Sequence, residues 1–396
     1  MSLRPCPIHP VLQAILCGAL ACGAAPAPAA PAPAPTAPAP PPDDAAVEAR
    51  RLAELTHHVV TADRITYSYL LLVSSPVAAP TREELDKLVV AAFPDNLEDP
   101  EVDLLRGLLA AAPQGDTPAS PENRDNGRRA SDLLGLEVEA FPLAPAKGPR
   151  LIDIKVLDDP DLTRDLTPVE RASLPTRTAV IVLRAQYRNQ HAVRGLRLLQ
   201  TLTRVVADRQ GALIHDPDTL ETVGPATFNE RRLQTSLGNV ADQIPVIPFE
   251  DPQRPGKVRL ATRGMRRFGS VDLELSGLAG DLTVLQRATF FIHGLVHVLI
   301  GLGELDESGL AVELPEILPV HHRDCVSAYA GRPGSLPRCA ACPEFVEVHL
   351  VERAPEPHDP VGHIVARIVA PRSTSDAPAY DQPTWAHEAL TRLFGP

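Results

Sequence analysis

Four side chains in one short stretch of the sequence have the spacing of a metal site. His322 and Cys325 stand three positions apart, as do Cys339 and Cys342, and thirteen residues separate the two pairs. Three thiolates and one imidazole would satisfy a tetrahedral Zn²⁺ ion, and the glycines and prolines between the pairs suit a turning loop. The same cysteines could form one disulfide instead, between Cys325 and either Cys339 or Cys342. We therefore predict a structural zinc site or a disulfide, with three free thiols as the remaining alternative.

The compartment of the protein decides between these chemistries. A reducing cytosol would favour zinc, whereas the oxidising conditions outside the cell favour a disulfide. The odd number of thiols in the stretch weighs against a disulfide as the whole answer, because one thiol would be left over outside the cell.

A second pair of histidines, His293 and His297, lies four positions apart in an apolar stretch. On a helix this spacing puts both imidazoles on one face, where they could chelate a metal ion. No glutamate that could act as a general base lies between them, and the helix is apolar all round, as a core helix is. The favoured interpretation is a pair of buried histidines bonded to backbone or carboxylate groups. The alternative is a metal-dependent hydrolase that uses His293, His297 and a distant carboxylate.

Charged side chains of both signs lie close together in the stretch VRLATRGMRRFGSVDLEL. Its arginines are Arg259, Arg263, Arg266 and Arg267, and its acids are Asp272 and Glu274. Arginine is suited to bidentate contacts with carboxylate or phosphate groups, so an anion-binding patch is one interpretation. The favoured interpretation is pairing of the arginines with the two acids across a hairpin.

The N-terminal residues 1–22 have the order of a secretory signal. Arg4 precedes an apolar run from Val11 to Ala21, and small residues follow. The end of this run, ALAC, resembles the bacterial lipoprotein signal, in which the cysteine is lipidated and becomes the mature N-terminus. That resemblance implies lipidation of Cys22, although the family prefers leucine where Ala19 stands. Gly23 takes the place of the aspartate that marks inner-membrane retention in this class.

These features predict an exported protein, held by a lipid in the bacterial outer membrane or the periplasm. The alternative is a signal peptidase cut beside Ala21 or Ala25, which would give a soluble secreted protein. Residues 23–42 alternate proline and alanine, a composition that favours the extended polyproline II conformation and forms a semi-rigid spacer. At about 3.1 Å per residue, this tether would hold the rest of the protein tens of Å from its anchor.

About 350 residues follow the spacer, enough for two domains with cores of their own. The formal net charge of -12 argues against a nucleic-acid partner, which would require a basic surface. We place the domain boundaries at 43–237 and 238–396. The apolar stretch between Arg287 and Glu304 is predicted to be too short for a membrane span and to form a buried helix.

The pattern of the first domain predicts the order strand, helix, strand, strand, helix, strand. The strands are expected in ITYSYLLLVS (Ile65–Ser74), RLIDIKVLDD (150–159), RTAVIVLRAQY (177–187) and GALIHDPDT (211–219), and the helices begin at Thr81 and near Ala192. This is the split βαβ of ferredoxin-like folds. The second domain is predicted to be α+β as well, with a hairpin, the long buried helix, two further strands and a C-terminal helix from Trp385 to Phe394. The fold class is therefore α+β.

The block ATRGMRRFGSVDLEL, with the apolar helix and GELDESG after it, resembles a family of uncharacterised bacterial proteins with a T-x-G-M-x-x-F-G pattern followed by an acid-x-E pattern. The resemblance covers Ala179 to Leu310 and implies an α+β fold without an agreed activity. The sequence has no G-x-S-x-G, P-loop or G-x-G-x-x-G motif. We therefore expect a non-enzymatic envelope lipoprotein that binds or scaffolds a partner protein.

Overall fold

The computed structural model describes residues 60–61, 64–75, 78–110, 135–145, 151–188, 192–234, 239–305, 312–329, 345–356, 359 and 363–395. All of them belong to one compact unit, Leu52–Pro396. The predicted signal sequence with Cys22, the tether at 23–42 and a helix expected at Asp43–Val59 lie outside the described residues.

Thirteen strands occur in the described part of the chain. They are β1 (Val60–Thr61), β2 (Arg64–Val73), β3 (Gly135–Pro142), β4 (Ala179–Arg188), β5 (Leu213–His215), β6 (Thr222–Val223), β7 (Val246–Glu250), β8 (Val258–Thr262), β9 (Asp272–Leu278), β10 (Val312–Glu313), β11 (Leu318–His321), β12 (Phe345–Arg353) and β13 (Val365–Val369).

The α-helices are α1 (Arg82–Ala92), α2 (Pro100–Ala110), α3 (Ile154–Asp158), α4 (Pro168–Ser173), α5 (Ala192–Gln210), α6 (Pro225–Phe228), α7 (Leu282–Leu305), α8 (His322–Ser327), α9 (Arg372–Ser375) and α10 (Gln382–Phe394). Two 3₁₀ turns (Leu174–Thr176 and Met265–Phe268) and one π-helix (Asn229–Leu233) complete the helical elements. The fold class is α+β, as the sequence predicts.

The first sheet has the strand order of a ferredoxin-like fold. Its order is β3-β4-β2-β5-β6, and all neighbouring strands are antiparallel. If β2, β3, β4 and β5 are numbered as the first to fourth strands of a split βαβ unit, the order across the sheet is 2-3-1-4. Helices α1 and α5 lie between the expected pairs of strands, so the predicted split βαβ topology is confirmed.

One strand of that unit was predicted in the wrong place. Residues 150–159 form a turn and the short helix α3 instead of a strand. The side chain of Asp153 accepts a hydrogen bond from the backbone N–H of Lys155 at 3.0 Å, which caps the helix at its first turn. The second strand of the unit is β3, which pairs with β4 along its whole length.

The two faces of the first sheet are covered differently. Helix α5 packs against β2 and β4 through the predicted stripe, in which Leu196, Leu199, Leu202 and Val206 are buried. The helix ends at Gly211, whose φ of 55° is the left-handed conformation expected of a glycine just past a helix. The opposite face packs on short segments that contribute Leu143, Ile152, Leu157 and Leu166 to a second, smaller apolar cluster.

The second sheet is mixed, with the order β11-β12-β13-β9-β8-β7, and β13 runs parallel to β9. The predicted hairpin corresponds to β8 and β9, and the two predicted later strands correspond to β12 and β13. Helices α7 and α10 cover the face that carries Leu273 and Leu275 of β9. The alternate residues of β9, including Asp272 and Glu274, point to the other face and are also buried.

Helix α7 is a core helix, as predicted, but it is longer than expected. Its segment Leu282–Leu302 is long and apolar enough to cross a membrane by length and composition, so the expectation that it would be too short was wrong. In the folded protein 56% of its most apolar window is buried, and its inner side chains, such as Phe291 and Leu295, belong to the main core. Core helices of soluble proteins pass the same test of composition.

The two sheets share one hydrophobic core. A single cluster of buried side chains includes Leu71 and Ile181 of the first sheet together with Leu260 and Leu273 of the second. The boundary that we place between 237 and 238 lies between β6, the last strand of the first sheet, and β7, the first of the second. The sheets thus belong to one compact unit.

Candidate functional site

The T-x-G-M-x-x-F-G block forms a tight turn between β8 and β9. Gly264 and Gly269 flank the 3₁₀ turn Met265–Phe268, and both have positive φ angles, 97° and 69°, which favour glycine. The carboxylate of Asp272 accepts hydrogen bonds from the Thr262 hydroxyl at 2.9 Å and the Met265 N–H at 3.2 Å. The threonine, the glycines and the acid of the pattern therefore each hold the turn in shape.

This turn inserts Arg267 into the first sheet. The Arg267 side chain is fully buried, and its guanidinium donates to the carboxylate of Asp216 at 2.8 Å and to the Tyr67 hydroxyl at 2.7 Å. The guanidinium also lies over the Tyr67 ring, with its central carbon 4.9 Å from the ring centroid. In return, the Tyr187 hydroxyl of β4 donates to the backbone oxygen of Arg267 at 2.8 Å. One residue, through its side chain and its backbone oxygen, thus ties the block to β2, β4 and the turn after β5.

The charges at Arg267 and Asp216 stabilise each other. Burial alone would raise the pKa of Asp216, but the positive charge of Arg267 and the hydrogen bond from Tyr67, at 2.6 Å, outweigh burial and lower the pKa to about 2. Burial raises the pKa of the Tyr67 hydroxyl well above its ordinary value, so this group donates as a neutral phenol. At neutral pH the contact is therefore a buried, hydrogen-bonded ion pair.

A second set of charges lies beside the first. His363, just before β13, places Nδ1 2.7 Å from Asp272 and Nε2 3.4 Å from Asp218, which belongs to the turn after β5. Arg266 donates to the same Asp218 at 2.5 Å. Burial would lower the pKa of His363, but the hydrogen bonds and negative charges of Asp218 and Asp272 prevail and raise it to about 9. A protonated His363 therefore bridges the two sheets. We call these seven residues the junction: Tyr67, Asp216, Asp218, Arg266, Arg267, Asp272 and His363.

Farther along the same face of the second sheet, three arginines surround the carboxylate of Glu274. Its carboxylate is 3.0 Å from Arg259, 3.0 Å from Arg353 and 3.6 Å from Arg367, and only 1% of the Glu274 side chain is exposed. Arg367 is the direct parallel partner of Glu274 across β13 and β9. Arg353 also makes a bidentate contact with Asp359, at 2.6 and 2.9 Å. These ion pairs connect four strands, β8, β9, β12 and β13. They form only when those strands are in register.

The predicted pairing of the arginines with acids is confirmed in part. Arg259 pairs with Glu274 across the β8–β9 hairpin, as expected. Arg266 and Arg267 pair instead with Asp218 and Asp216 of the first sheet. These partners, and His363, could not be predicted from local sequence, because each is brought to the block by the packing of the two sheets. The one local signal was the turn-forming HDPDT after β5, which contains both aspartates.

His293 is buried within the core and both of its ring nitrogens are engaged. Nε2 is 2.8 Å from the backbone oxygen of Ile244 and must therefore carry the proton, so Nδ1 accepts from the Tyr329 hydroxyl. Burial lowers the pKa of His293 to about 4, which keeps the ring neutral. This is the buried, backbone-bonded histidine that the sequence favours. A metal ion would have to displace one of these partners to reach His293, whereas His297 is partly exposed one turn later.

The predicted zinc or disulfide site is described only at its first pair. Cys325 is a buried free thiol in α8, packed so closely against α7 that a Cβ added at Gly294 would lie 2.6 Å from its sulfur. Burial raises the pKa of this thiol to about 12. The His322 ring packs near Phe394, with 5.9 Å between the two ring centroids. Cys339 and Cys342 lie outside the described residues, so the choice between zinc, a disulfide and three free thiols stays a prediction.

Within the described ranges, no group of three or more histidine, cysteine, aspartate or glutamate side chains is arranged to hold a metal ion. Comparisons with protein-family models, with curated proteins and with solved structures find no match for this chain. The resemblance of the block to an uncharacterised bacterial family therefore rests on the residues of its pattern. What the geometry does define is a buried polar junction that fastens two sheets together.

Proposed function

We propose that this protein is a non-enzymatic cell-envelope lipoprotein that binds or scaffolds an envelope partner. In this proposal Cys22 carries the lipid, which anchors the protein in the bacterial outer membrane, and residues 23–42 form the tether. The support comes from the order of the N-terminal features: Arg4, the apolar run that ends at Ala21, the cysteine and the alternating prolines. An anchor followed by a semi-rigid spacer places a folded body at a defined distance from a membrane.

The observation that carries the scaffold part of the proposal is the junction. Its charged side chains, all buried except that of Arg266, pair across the two sheets: Arg267 with Asp216, Arg266 with Asp218, and His363 with Asp218. Such contacts hold two sheets in one orientation, which is what a binding or scaffolding body needs. A group that transfers protons to a substrate must instead reach that substrate.

The test of the anchor is the variant Cys22→Ser, expressed as the full chain in a bacterial host. We expect the native protein in the membrane fraction, released only by detergent, and the variant in the soluble periplasm or medium. A single acyl chain binds membranes weakly, so stable retention indicates the multiply acylated cysteine of a lipoprotein. Intact-mass measurement of the mature N-terminus checks the modification directly.

The control is Cys17→Ser, a cysteine within the apolar run, which should leave the fractionation unchanged. An unmodified N-terminus that begins at a residue other than Cys22 would contradict the anchor. The scaffold part has its own measurement, in which the tether at 26–42 is shortened and crosslinking in intact cells is compared. Loss of specific crosslinks with unchanged membrane retention supports a partner that is reached through the tether, and unchanged crosslinks contradict it.

A further inference from the structure

Strand β3 lies at one edge of the first sheet, and β4 is its one partner strand in the described part of the chain. The other edge strands of the two larger sheets are short or contain proline, which cannot donate a backbone hydrogen bond. Strand β6 has two residues, and β7 and β11 contain Pro248 and Pro319. Strand β3 has eight residues, and its proline, Pro142, is the last of them. Among these edges, that of β3 is therefore the one that can accept a further strand along most of its length.

The register of β3 and β4 determines which backbone groups point away from the sheet. The N–H of Leu143, just past β3, donates to the oxygen of Thr178 at 2.9 Å, in register with the pairing of the two strands. Hydrogen-bonded and non-hydrogen-bonded pairs alternate along antiparallel strands, so every second residue back from Leu143 bonds to β4. The residues between them direct their N–H and C=O groups outward, and ahead of the terminal proline these are Leu136, Val138 and Ala140.

One of these outward groups already accepts a hydrogen bond. The guanidinium of Arg82, at the start of α1, donates to the backbone oxygen of Leu136 at 3.3 Å, as an outward carbonyl allows. The backbone groups of Val138 and Ala140 bond to no other segment in the described ranges. A row of such groups is a template for pairing with another chain.

The side chains on one face of β3 indicate what such a strand would carry. Glu137 and Glu139 have side chains that are 66% and 51% exposed, and they share one cation, Arg184 of β4, at 3.0 and 3.8 Å. Two carboxylates with one guanidinium leave one negative charge in excess. Phe141 follows on the same face and is 37% exposed. Cationic side chains beside the glutamates and an apolar one beside Phe141 would complement this row.

The opposite face of β3 is apolar. Leu136 is buried in the main core, Val138 packs against that core while partly buried, and Ala140 is half-buried. Alternate residues of a strand point to opposite faces, so a strand added beside β3 would extend this apolar layer with every second side chain. The matching sequence therefore alternates basic and apolar residues.

A second copy of β3 does not fit this edge. If two copies paired edge to edge, their glutamates would lie in the same row, and like charges directly opposite each other are destabilising. The formal net charge of -12 likewise opposes the approach of two copies and favours the approach of a basic partner.

We propose that the free edge of β3 binds an extended segment of a partner protein in which lysine or arginine alternates with apolar residues. The segment adds an antiparallel strand to the first sheet and bonds to the backbone of Val138 and Ala140. Its cations lie beside Glu137 and Glu139. This inference rests on the scaffold part of the proposed function, since it names the chemistry of the partner, and it does not depend on the lipid anchor.

The test uses the full chain in detergent and two synthetic peptides. The first is a blocked peptide of alternating lysine and valine, as long as β3. The second is the same peptide N-methylated at its valines, whose N–H groups face Val138 and Ala140 in an antiparallel pairing. We expect the first peptide to bind with a measurable Kd and the second, which keeps every charge, to bind at least about tenfold more weakly. Hydrogen exchange locates the site, because the amide protons of Val138 and Ala140 should exchange quickly in the free protein and slowly in the complex.

Two variants of β3 test the side chains and the backbone separately. Glu137→Gln with Glu139→Gln should raise the Kd of the first peptide about fivefold, because it removes two cross-strand charge pairs. The matched control is Glu347→Gln with Glu352→Gln, which removes two exposed carboxylates from β12 and should leave the Kd nearly unchanged. Ala140→Pro removes an outward N–H without breaking a bond to β4 and should weaken binding. If Ala140→Pro does not fold, the N-methylated peptide tests the same hydrogen bonds on the native protein.

Several results would overturn the proposal. Equal binding of the two peptides, or an equal loss in the β12 control, would mean that the peptide binds through charge alone. Slow exchange of Val138 and Ala140 in the free protein would mean that the edge is already covered. A dimer that Ala140→Pro dissociates would assign the edge to a second copy.

The outcome is separable from that of the proposed function, because peptide binding is measured on purified protein. Crosslinks in cells without peptide binding would place the partner elsewhere on the body and overturn the proposal for β3. Peptide binding at β3 without crosslinks in cells would support the proposal for the edge and contradict the scaffold function.

Discussion

His363 shows how one side chain can link the stability of this protein to pH. Its ring lies between Asp272 of the second sheet and Asp218 of the first, and Arg266 shares Asp218 with it. The two carboxylates favour the protonated ring and raise its pKa from 6.5 to about 9, in spite of burial. In the unfolded chain the histidine returns to its ordinary pKa, so the folded protein binds this proton more tightly than the unfolded chain does.

The expected pH dependence follows from this difference. The stabilisation by His363 is fully present below the unfolded pKa of about 6.5 and is lost as the pH rises through about 9. We expect the free energy of unfolding to fall by on the order of 2 kcal/mol across this range. Urea denaturation at a series of pH values measures it. At pH 6 the variant His363→Gln should have a lower free energy of unfolding than the native protein, and this free energy should change little as the pH rises further. Equal pH dependence of the free energy of unfolding in the two proteins would show that His363 does not titrate as described.

The two glycines of the block could be interpreted from the sequence, but the partners of its arginines could not. Gly264 and Gly269 are spaced as a short turn requires, and both have the positive φ that favours glycine. Arg267 meets Asp216 across 51 positions and Tyr67 across 200 positions of the chain. Contacts of that separation depend on the packing of two sheets, and no local pattern contains that information.

At the scale of elements, periodicity predicted the helices well and the strands less well. The apolar stripe of α5 and the capping box at Thr81 gave the correct helices. The segment 150–159 is predicted as a strand because of its apolar residues. In the structure Ile152 lies in a turn and Leu157 lies in helix α3, and both are buried against the first sheet. Strand β3 was missed, although Leu136, Glu137, Val138 and Glu139 alternate apolar and polar side chains as a strand with one exposed face does. Both glutamates lie within salt-bridge distance of Arg184 on β4.

Helix α5 provides the prediction at this scale. Leu199 is 1% exposed and lies in the core between α5 and the first sheet. Leu199→Ala should lower the free energy of unfolding by about 2–5 kcal/mol, because it leaves a cavity in a packed core. Chemical denaturation measures the change, with the exposed Arg209→Ala on the same helix as the control. A loss below about 0.5 kcal/mol for Leu199→Ala, as at surface positions, would mean that the helix packs differently.

The whole molecule combines two sheets that the sequence assigns to separate domains. The proline-punctuated segment 236–257, which contains β7, suggests a connection between two lobes, and the strands do divide into two sheets beside it. The shared core and the junction are contributed by both sides of that boundary. We infer that the two sheets unfold together, because separating them would break the pairs Arg267–Asp216, Arg266–Asp218 and His363–Asp218.

This inference leads to a prediction about the ion pair between Arg267 and Asp216. Arg267→Met alone leaves a buried carboxylate without its cation and should cost about 3–5 kcal/mol. Asp216→Asn alone leaves the guanidinium unpaired, whereas the double variant removes both charges and should cost clearly less than the sum of the single changes. Calorimetry measures the three costs, and a single transition in the native protein checks the coupling of the sheets. The exposed pair Lys87–Glu83 is the control, for which we expect no coupling. Additive costs at Arg267 and Asp216, or two separate transitions in the native protein, would show that the junction does not join the sheets energetically.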